Sequence, residues 1–303
     1  MSTFFQQVIN GLALGSIYAL IALGYTMVYG VLRLINFAHG DVYMVGAFAG
    51  FYIARAMGNS GGPAIAVTAF IGSMVACALL GMLIERLAYR PLRQQSRLAI
   101  LITAIGVSLL LENLGIVVFG ATPEAFPPIL PEGVFELGGN VVMKYAQVAI
   151  VVVSLLLMGL LRWVVLGTKT GLAMRAVSHS VDTSKLMGVP TDRTITFTFA
   201  LGSAFAAAAG ILVAINIPKI EPLMGVLAGL KAFVAAVLGG IGNIPGALLG
   251  GLVIGLAETL IVGYGSTIGI ESTYRDAVAF AILIVVLLVR PQGILGKIEK
   301  EKV

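Results

Sequence analysis

Three ionisable residues lie inside long apolar blocks of the sequence: Glu112, Lys231 and Glu258, the first followed by Asn113. A charge at the centre of a membrane-spanning helix costs roughly 2.5–3.5 kcal/mol on insertion scales. Each of the three is therefore expected to face the interior of a helix bundle, water or a partner. For Glu112, the deepest of them, a buried structural hydrogen bond and a role in a translocation pathway both fit the pattern.

A polar break separates two apolar runs near the N-terminus, in GVLRLINFAHGDVYMVGAFAG at 30–50. Asn36 and His39 lie in the break, and Asp41 follows at a position where it would cap the next helix. Two glycines four residues apart then form a small-xxx-small face for close helix packing. The break is either a capped helix junction or a place where Asn36 and His39 line a pathway.

A second break occurs in AAVLGGIGNIPGALLGGLVIGLAE at 235–258. Asn243 and Pro245 are typical of the cap and first turn of a helix. The glycines on one face of that helix are Gly246, Gly250, Gly251 and Gly255. A half-helix that begins here inside the bilayer would point its positive end at a substrate carboxylate. Tight helix packing alone explains the same pattern.

The longest basic segment between apolar blocks, 168–193, has helical spacing and predicts one amphipathic helix that Gly188 and Pro190 end. Its polar face consists of Arg175, His179 and Asp182, and its apolar stripe of Met174, Val177 and Val181. An apolar stripe outside the bilayer needs a cover. The alternatives are the membrane surface and a groove on a cytoplasmic partner.

The elements that must hold these residues are membrane-spanning helices. The 303 residues are 59% hydrophobic and only 11% charged, with a mean hydropathy of +1.03, whereas soluble domains carry about 25% charged residues. Apolar blocks of about 20 residues match the hydrocarbon core of a bilayer. We predict a single all-α domain, 1–303, built as a polytopic helix bundle of eight to nine crossings. Glycine-interrupted segments at 24–50 and 225–256 favour an inverted repeat.

The loops between the apolar blocks predict the orientation. Loop 85–97 carries four arginines against one glutamate, and segment 168–193 is also basic, which places both in the cytoplasm. Loop 120–144 contains three glutamates and four prolines and is expected to be periplasmic. The basic tail with Lys297, Lys300 and Lys302 is expected to be cytoplasmic. The net charge of +5 therefore reflects orientation and does not indicate nucleic-acid binding.

Several kinds of chemistry are absent from the sequence. One cysteine and two distant histidines exclude an internal disulfide and argue against a local metal motif. The chain has no P-loop, no HExxH motif, no nucleophile elbow and no dinucleotide fingerprint. We therefore expect no cofactor and no enzymatic activity. If ATP energises transport, a separate subunit must hydrolyse it.

Five motifs along the chain resemble those of a known family. They are YTMVYGVLRLINFAHGDVYMVGA at 25–47, IERLAYRPLR at 84–93, MGVPTDR at 187–193, KAFVAAVLGGIGNIPGALLGG at 231–251 and VRPQGILG at 289–296. At these positions the chain resembles the membrane permease subunits of branched-chain amino acid ABC importers, in particular the first of the two unequal permeases.

This resemblance implies a multi-pass protein of the bacterial inner membrane that carries leucine, isoleucine or valine. It also implies a second homologous permease, two cytoplasmic ATP-binding subunits, a periplasmic amino-acid-binding protein and a coupling helix within 168–193. Similar permeases carry urea or short amides, so that substrate class stays open. An ion-coupled secondary transporter, with Glu112 and Glu258 as coupling carboxylates, and a passive channel are the rival functions.

Overall fold

The computed structural model describes residues 2–58, 62–136, 138, 141–269 and 271–296. The helices are α1 (Ser2–Leu32), α2 (His39–Ala56), α3 (Pro63–Ile84), α4 (Arg97–Phe119), α5 (Tyr145–Gly167), α6 (Lys169–His179), α7 (Val181–Leu186), α8 (Thr191–Asn216), α9 (Met224–Gly239), α10 (Ile244–Tyr264) and α11 (Arg275–Val289). Helix α3 continues as a π-helical turn, Glu85–Tyr89, and a 3-10 turn, Arg90–Leu92. Two short antiparallel strands, β1 (Val134–Glu136) and β2 (Val142–Lys144), form a hairpin. The predicted all-α bundle is confirmed.

Seven helices in the described ranges are long and apolar enough to cross a membrane: α1, α3 with its extension, α4, α5, α8, α10 and α11. Two further crossings are broken, because α2 and α9 begin inside the bundle. The His39 ring at the start of α2 lies 3.2 Å from the carbonyl oxygen of Ile21. Ile21 is eleven residues before the end of α1. Helix α2 therefore begins roughly 16 Å into the bundle, measured along α1 from its C-terminal end. Seven whole and two broken crossings make nine, the upper end of the predicted range.

The packing of the helices follows an inverted symmetry. Helices α1 and α10 pack antiparallel over most of their length, with Gly15 on Leu252 and Gly251 on Ala19. Helices α3 and α8 form the corresponding antiparallel pair, with Gly81 on Ser203. Between these pairs, α2 and α9 meet at their N-terminal ends. This is the arrangement that the paired glycine-interrupted segments favoured.

Loops 85–97 and 168–193 lie at the same end of the bundle, since Arg93 Nη1 contacts Asp192 Oδ1 at 2.7 Å. We call this the basic end. The N-terminus lies at the opposite end, where Gln6 Nε2 donates to the carbonyl oxygen of Val142 at 2.9 Å. The charges of the sequence do not determine the side of the N-terminus, because no charged side chain precedes Arg33. The basic tail residues Lys297, Lys300 and Lys302 lie outside the described residues.

Candidate functional site

The first half-helix junction holds Asn36 and His39 in the bundle interior. Only 1% of His39 is exposed, and its ring packs edge-on against Tyr25 with 4.6 Å between ring centroids. Asn36 is 3% exposed, and its Oδ1 accepts a hydrogen bond from the Tyr89 hydroxyl at 2.9 Å. Both polar side chains therefore have partners within the chain, as expected for a structured junction.

The carboxylate of Asp41 lies in the first turn of α2 and does not cap it, because the helix already begins at His39. Its partner is instead on α4, where Ser108 Oγ donates to Asp41 Oδ2 at 2.5 Å. Glu112 follows one turn later on the same face of α4. It is half-buried and lies near enough to act electrostatically on Asp41. Two carboxylates therefore lie beside the start of α2.

Asn113 differs from its neighbour Glu112 in where it points. It is exposed, and its Nδ2 donates to the carbonyl oxygen of Leu109 on its own helix at 2.7 Å. Asn113 therefore belongs to the outer surface of α4.

The second junction contains a buried charge network formed by four helices. Lys231 Nζ on α9 lies 3.0 Å from Glu258 Oε1 on α10 and 2.6 Å from Asp276 Oδ1 on α11. The Tyr18 hydroxyl on α1 donates to Glu258 Oε2 at 3.0 Å. Lys231 is 5% exposed and Glu258 is 2% exposed, whereas a third of the Asp276 side chain reaches solvent. The expectation that Lys231 and Glu258 face the bundle interior is confirmed.

Sequence reasoning missed Tyr18 and Asp276. A tyrosine in an apolar block carries no distinguishing signal, and Asp276 beside Arg275 resembles the charged flank of a span. One available signal was helical spacing, because Asp276 lies one turn before Ala279, a buried residue of α11. Asp276 is therefore on the face of α11 that packs against the bundle.

Asn243 caps α10 as predicted, since its Oδ1 accepts a hydrogen bond from the amide of Gly246 at 3.1 Å. Its Nδ2 donates to the carbonyl oxygen of Leu295 at 2.8 Å and so holds the chain that follows α11. Of the two alternatives for this break, tight helix packing agrees with the structure and a half-helix that begins inside the bilayer at Asn243 does not. Gly240 and Gly242, both with positive φ, form a tight turn at the basic end, and α10 crosses completely from there. The glycine face of α10 serves close packing against α1 and α9.

The prediction of one continuous helix in 168–193 is wrong. Ser180 has extended backbone dihedral angles, φ −159° and ψ 119°, and separates α6 from α7. Its Oγ accepts a hydrogen bond from the amide of Thr183 and so caps α7. Arg175 and His179 therefore lie on a different helix from Asp182, although all three are exposed. Gly188, with φ +79°, follows the end of α7 as predicted.

The apolar stripe of this segment is covered by the chain itself. Met174 is 2% exposed and Val177 is 1% exposed, and both belong to the main hydrophobic core, on which Val181 packs half-buried. Thr168 caps α6 directly after α5, so α6 turns back beneath the bundle. The apolar surface left open on α7 and just after it consists of Leu186, 87% exposed, and Met187, 79% exposed.

Comparison with known proteins gave consistent matches. Residues 7–287 match the family profile described as branched-chain amino acid transport system / permease component. The chain is 45% identical to the high-affinity branched-chain amino acid transport system permease protein LivH of Escherichia coli, over 99% of this chain and 98% of that protein. Identity and coverage are the same for the corresponding protein BraD of Pseudomonas aeruginosa. A probable LivH of Methanocaldococcus jannaschii is 30% identical over 93% of this chain and 89% of that protein.

Proposed function

This chain belongs to the family of permease components of branched-chain amino acid transport systems, and from that membership we propose that it is the membrane-spanning subunit of an ATP-driven importer. Its cargo would be leucine, isoleucine and valine, carried across the inner membrane of a bacterial cell. The observation that carries this proposal is the 45% identity, along nearly the whole chain, to two permease proteins of such systems.

The complex we propose contains a second homologous permease, two cytoplasmic ATP-binding subunits and a periplasmic amino-acid-binding protein. The sequence supports separate ATP-binding subunits because it has no nucleotide-binding motif. In this proposal the chain itself catalyses no reaction and supplies a path that opens alternately to each side.

We propose that the path runs along the surface that this chain shares with the second permease. Where α2 and α9 meet, the interior leaves no room for an amino acid side chain, because even a Cβ on Gly40 would overlap the backbone of Gly225. The candidates inside the bundle, Asn36, His39, Lys231 and Glu258, would then position the helices that shape the path, and Asn243 would hold the start of α10 at the basic end. Glu112 and Asn113 on α4 remain the candidates for lining it.

The chemistry beside α2 suits a zwitterionic cargo. Glu112, half-buried on α4, would offer negative charge to an ammonium group. Asp41 is 2% exposed, so it and the partial positive charge at the N-terminal end of α2 would act on the cargo through the protein and not by contact. The cargo's apolar side chain needs only loose complementarity if a separate binding protein supplies most of the selectivity.

Orientation follows the positive-inside rule in this proposal, with the basic end in the cytoplasm. Gln95 and Pro128 are both exposed, at opposite ends of the bundle, and are suitable positions for an introduced cysteine. The native Cys77 is buried. A membrane-impermeant thiol reagent should label position 128 from outside intact cells and position 95 only after the cells are opened. Labelling of position 95 in intact cells contradicts the orientation.

Coupling to ATP hydrolysis would use segment 168–193 through the surface that remains open on it. Leu186 and Met187 are apolar and largely exposed at the basic end, so a groove on an ATP-binding subunit would bury them. We expect Leu186→Asp and Met187→Asp to lose the ATP-binding subunits or the stimulation of hydrolysis by the loaded binding protein. Gln95→Asp adds the same charge at the same end and should have no effect. Equal behaviour of all three variants contradicts this docking surface.

The function is tested by purifying the chain with its associated subunits and reconstituting them in vesicles. ATP-dependent uptake of leucine that unlabelled isoleucine and valine inhibit, and urea does not, is the expected result. Inhibition by urea or short amides would assign the substrate to that rival class. Uptake by the lone chain driven by an ion gradient would replace the proposal with a secondary transporter, and flux without any energy source would indicate a channel.

A further inference from the structure

A cleft of about 710 Å³ opens at the basic end between α1, α5, α6 and the start of α10. Its lining includes Arg33, Arg162, Arg175 and His179, and no carboxylate of the described residues lines it. We propose that this cleft binds the phosphate-bearing headgroup of an anionic phospholipid. This inference is independent of the transported substrate.

The arginines in the cleft differ from the other arginines at the same end. Arg90 and Arg93 both pair with Asp192, and Arg93 also pairs with Glu85. Within the described residues, by contrast, Arg162 and Arg175 form no salt bridge. A guanidinium group presents a fork of donors that matches phosphate oxygens. Arg162 and Arg175 therefore place two guanidinium groups in the cleft that no carboxylate of the described residues neutralises.

The position of the cleft along α5 favours a lipid as the source of the phosphate. Arg162 is followed by Trp163, which is 63% exposed, and exposed tryptophans mark the depth of the lipid headgroups. On the membrane side, Leu156 and Leu160 precede Trp163 at helical spacing and are 68% and 48% exposed. An acyl chain lying along these residues would bring its headgroup to Arg162. A free phosphate ion would leave this apolar surface uncovered.

The inner wall of the cleft adds a second polar feature. A smaller pocket of about 100 Å³ shares Arg175 and Ser178 with the cleft and extends to Thr26. Thr26 is 2% exposed, and its Oγ1 has no hydrogen-bond partner among the described residues. A buried hydroxyl without a partner is unfavourable, and a headgroup oxygen or a water that accompanies it would satisfy this group.

Native mass spectrometry of the intact complex tests the proposal. The complex is released from nanodiscs of phosphatidylcholine that contain a minor fraction of phosphatidylglycerol, and the retained lipids are counted. We expect one phosphatidylglycerol to be retained in preference to phosphatidylcholine. Each Arg→Gln change at 162 or 175 should weaken retention about fivefold, since a basic residue near an anionic surface contributes about 1 kcal/mol.

Arg97→Gln is the matched control, because Arg97 is an exposed arginine at the same end but outside the cleft. Equal retention by Arg162→Gln, Arg175→Gln and Arg97→Gln overturns the proposal. Displacement of the bound species by millimolar inorganic phosphate would show that the cleft binds a free phosphate ion and not a lipid headgroup. A photo-crosslinker at position 162 that captures another subunit instead of lipid overturns the proposal as well. An unchanged midpoint of thermal unfolding shows that a variant still folds.

Discussion

The half-helices α2 and α9 begin at the same depth and contact each other through Gly40 and Gly225, yet the charged groups beside them are arranged differently. Beside α9, Lys231 lies between the carboxylates of Glu258 and Asp276 in contacts of 3.0 and 2.6 Å. Beside α2, the hydrogen-bond partner of Asp41 is the hydroxyl of Ser108. No cation contacts Asp41 within the described residues.

This difference separates two uses of the same backbone arrangement. At the α9 junction a buried cation depends on its carboxylates, so the network holds four helices together. At the α2 junction no cation of the described residues pairs with Asp41, which is buried and hydrogen-bonded to Ser108, so removing its charge breaks no ion pair. Substitutions that remove charge should therefore destabilise the α9 junction and leave the α2 junction folded.

The largest expected effect is at Lys231. Lys231→Met leaves Glu258 buried without its cation, and breaking a buried ion pair in this way costs about 3–5 kcal/mol. The midpoint of thermal unfolding in detergent should fall steeply. Lys219→Met is the control, because the Lys219–Glu221 pair is exposed and such pairs contribute at most about 1 kcal/mol. Equal effects of the two substitutions would show that the charge network at the α9 junction does not stabilise the fold.

The next effect is at the glycine contact that both junctions share. In Gly225→Ala the new Cβ overlaps the carbonyl group of Gly40, which is backbone and cannot move aside. We expect a loss of about 1–3 kcal/mol, the usual cost of overpacking. Gly106→Ala is the control, since its Cβ meets nothing within 4 Å. A neutral result for Gly225→Ala would mean that the two half-helices do not meet closely.

A smaller effect is expected at Asp41. Asp41→Asn keeps an oxygen to accept the Ser108 hydrogen bond, and no buried cation loses its partner. The free energy of unfolding should change by about 1 kcal/mol, the scale of one hydrogen bond. Glu258→Gln, the same kind of change in the α9 junction, should cost several times more. A larger loss of stability for Asp41→Asn than for Glu258→Gln would show that the α2 junction, and not the α9 junction, depends on its buried charge.

The smallest effect on stability is expected at Glu112, where transport should change instead. Glu112→Gln and Glu112→Leu alter a half-buried position, and each should shift the free energy of unfolding by less than about 0.5 kcal/mol. In reconstituted vesicles Glu112→Leu should abolish amino acid uptake, because this substitution removes both the charge and the hydrogen-bonding groups of the side chain. Normal uptake by Glu112→Leu would show that this carboxyl group has no part in transport.

Much of the architecture could be predicted from the sequence because bilayer thickness constrains it. The loops predicted at 85–97, 120–144 and 168–193 lie between long apolar helices, with α4 between the first two and α5 between the last two. The length of an apolar segment is almost sufficient by itself to identify such a membrane-spanning helix.

The errors arose where tertiary contacts decide the structure. The glycines after Asn243 fit both a half-helix and a closely packed span, and the contacts of α10 with α1 and α9 distinguish the two. The stripe of Met174 and Val177 has the spacing of an exposed amphipathic helix. It is covered because the cap at Thr168 turns α6 back onto the core, and helical periodicity does not specify which surface will cover a stripe.

The meeting of two half-helix N-termini has a consequence for leakage of ions. Each helix N-terminus carries a partial positive charge of about half an elementary charge, and here two of them face each other at one depth of the bundle. A proton or sodium ion that enters this layer meets repulsion from both sides, as in channels where half-helix dipoles exclude cations. We therefore expect the layer in which these two helix N-termini meet to oppose the leakage of protons and sodium ions through the interior of the bundle.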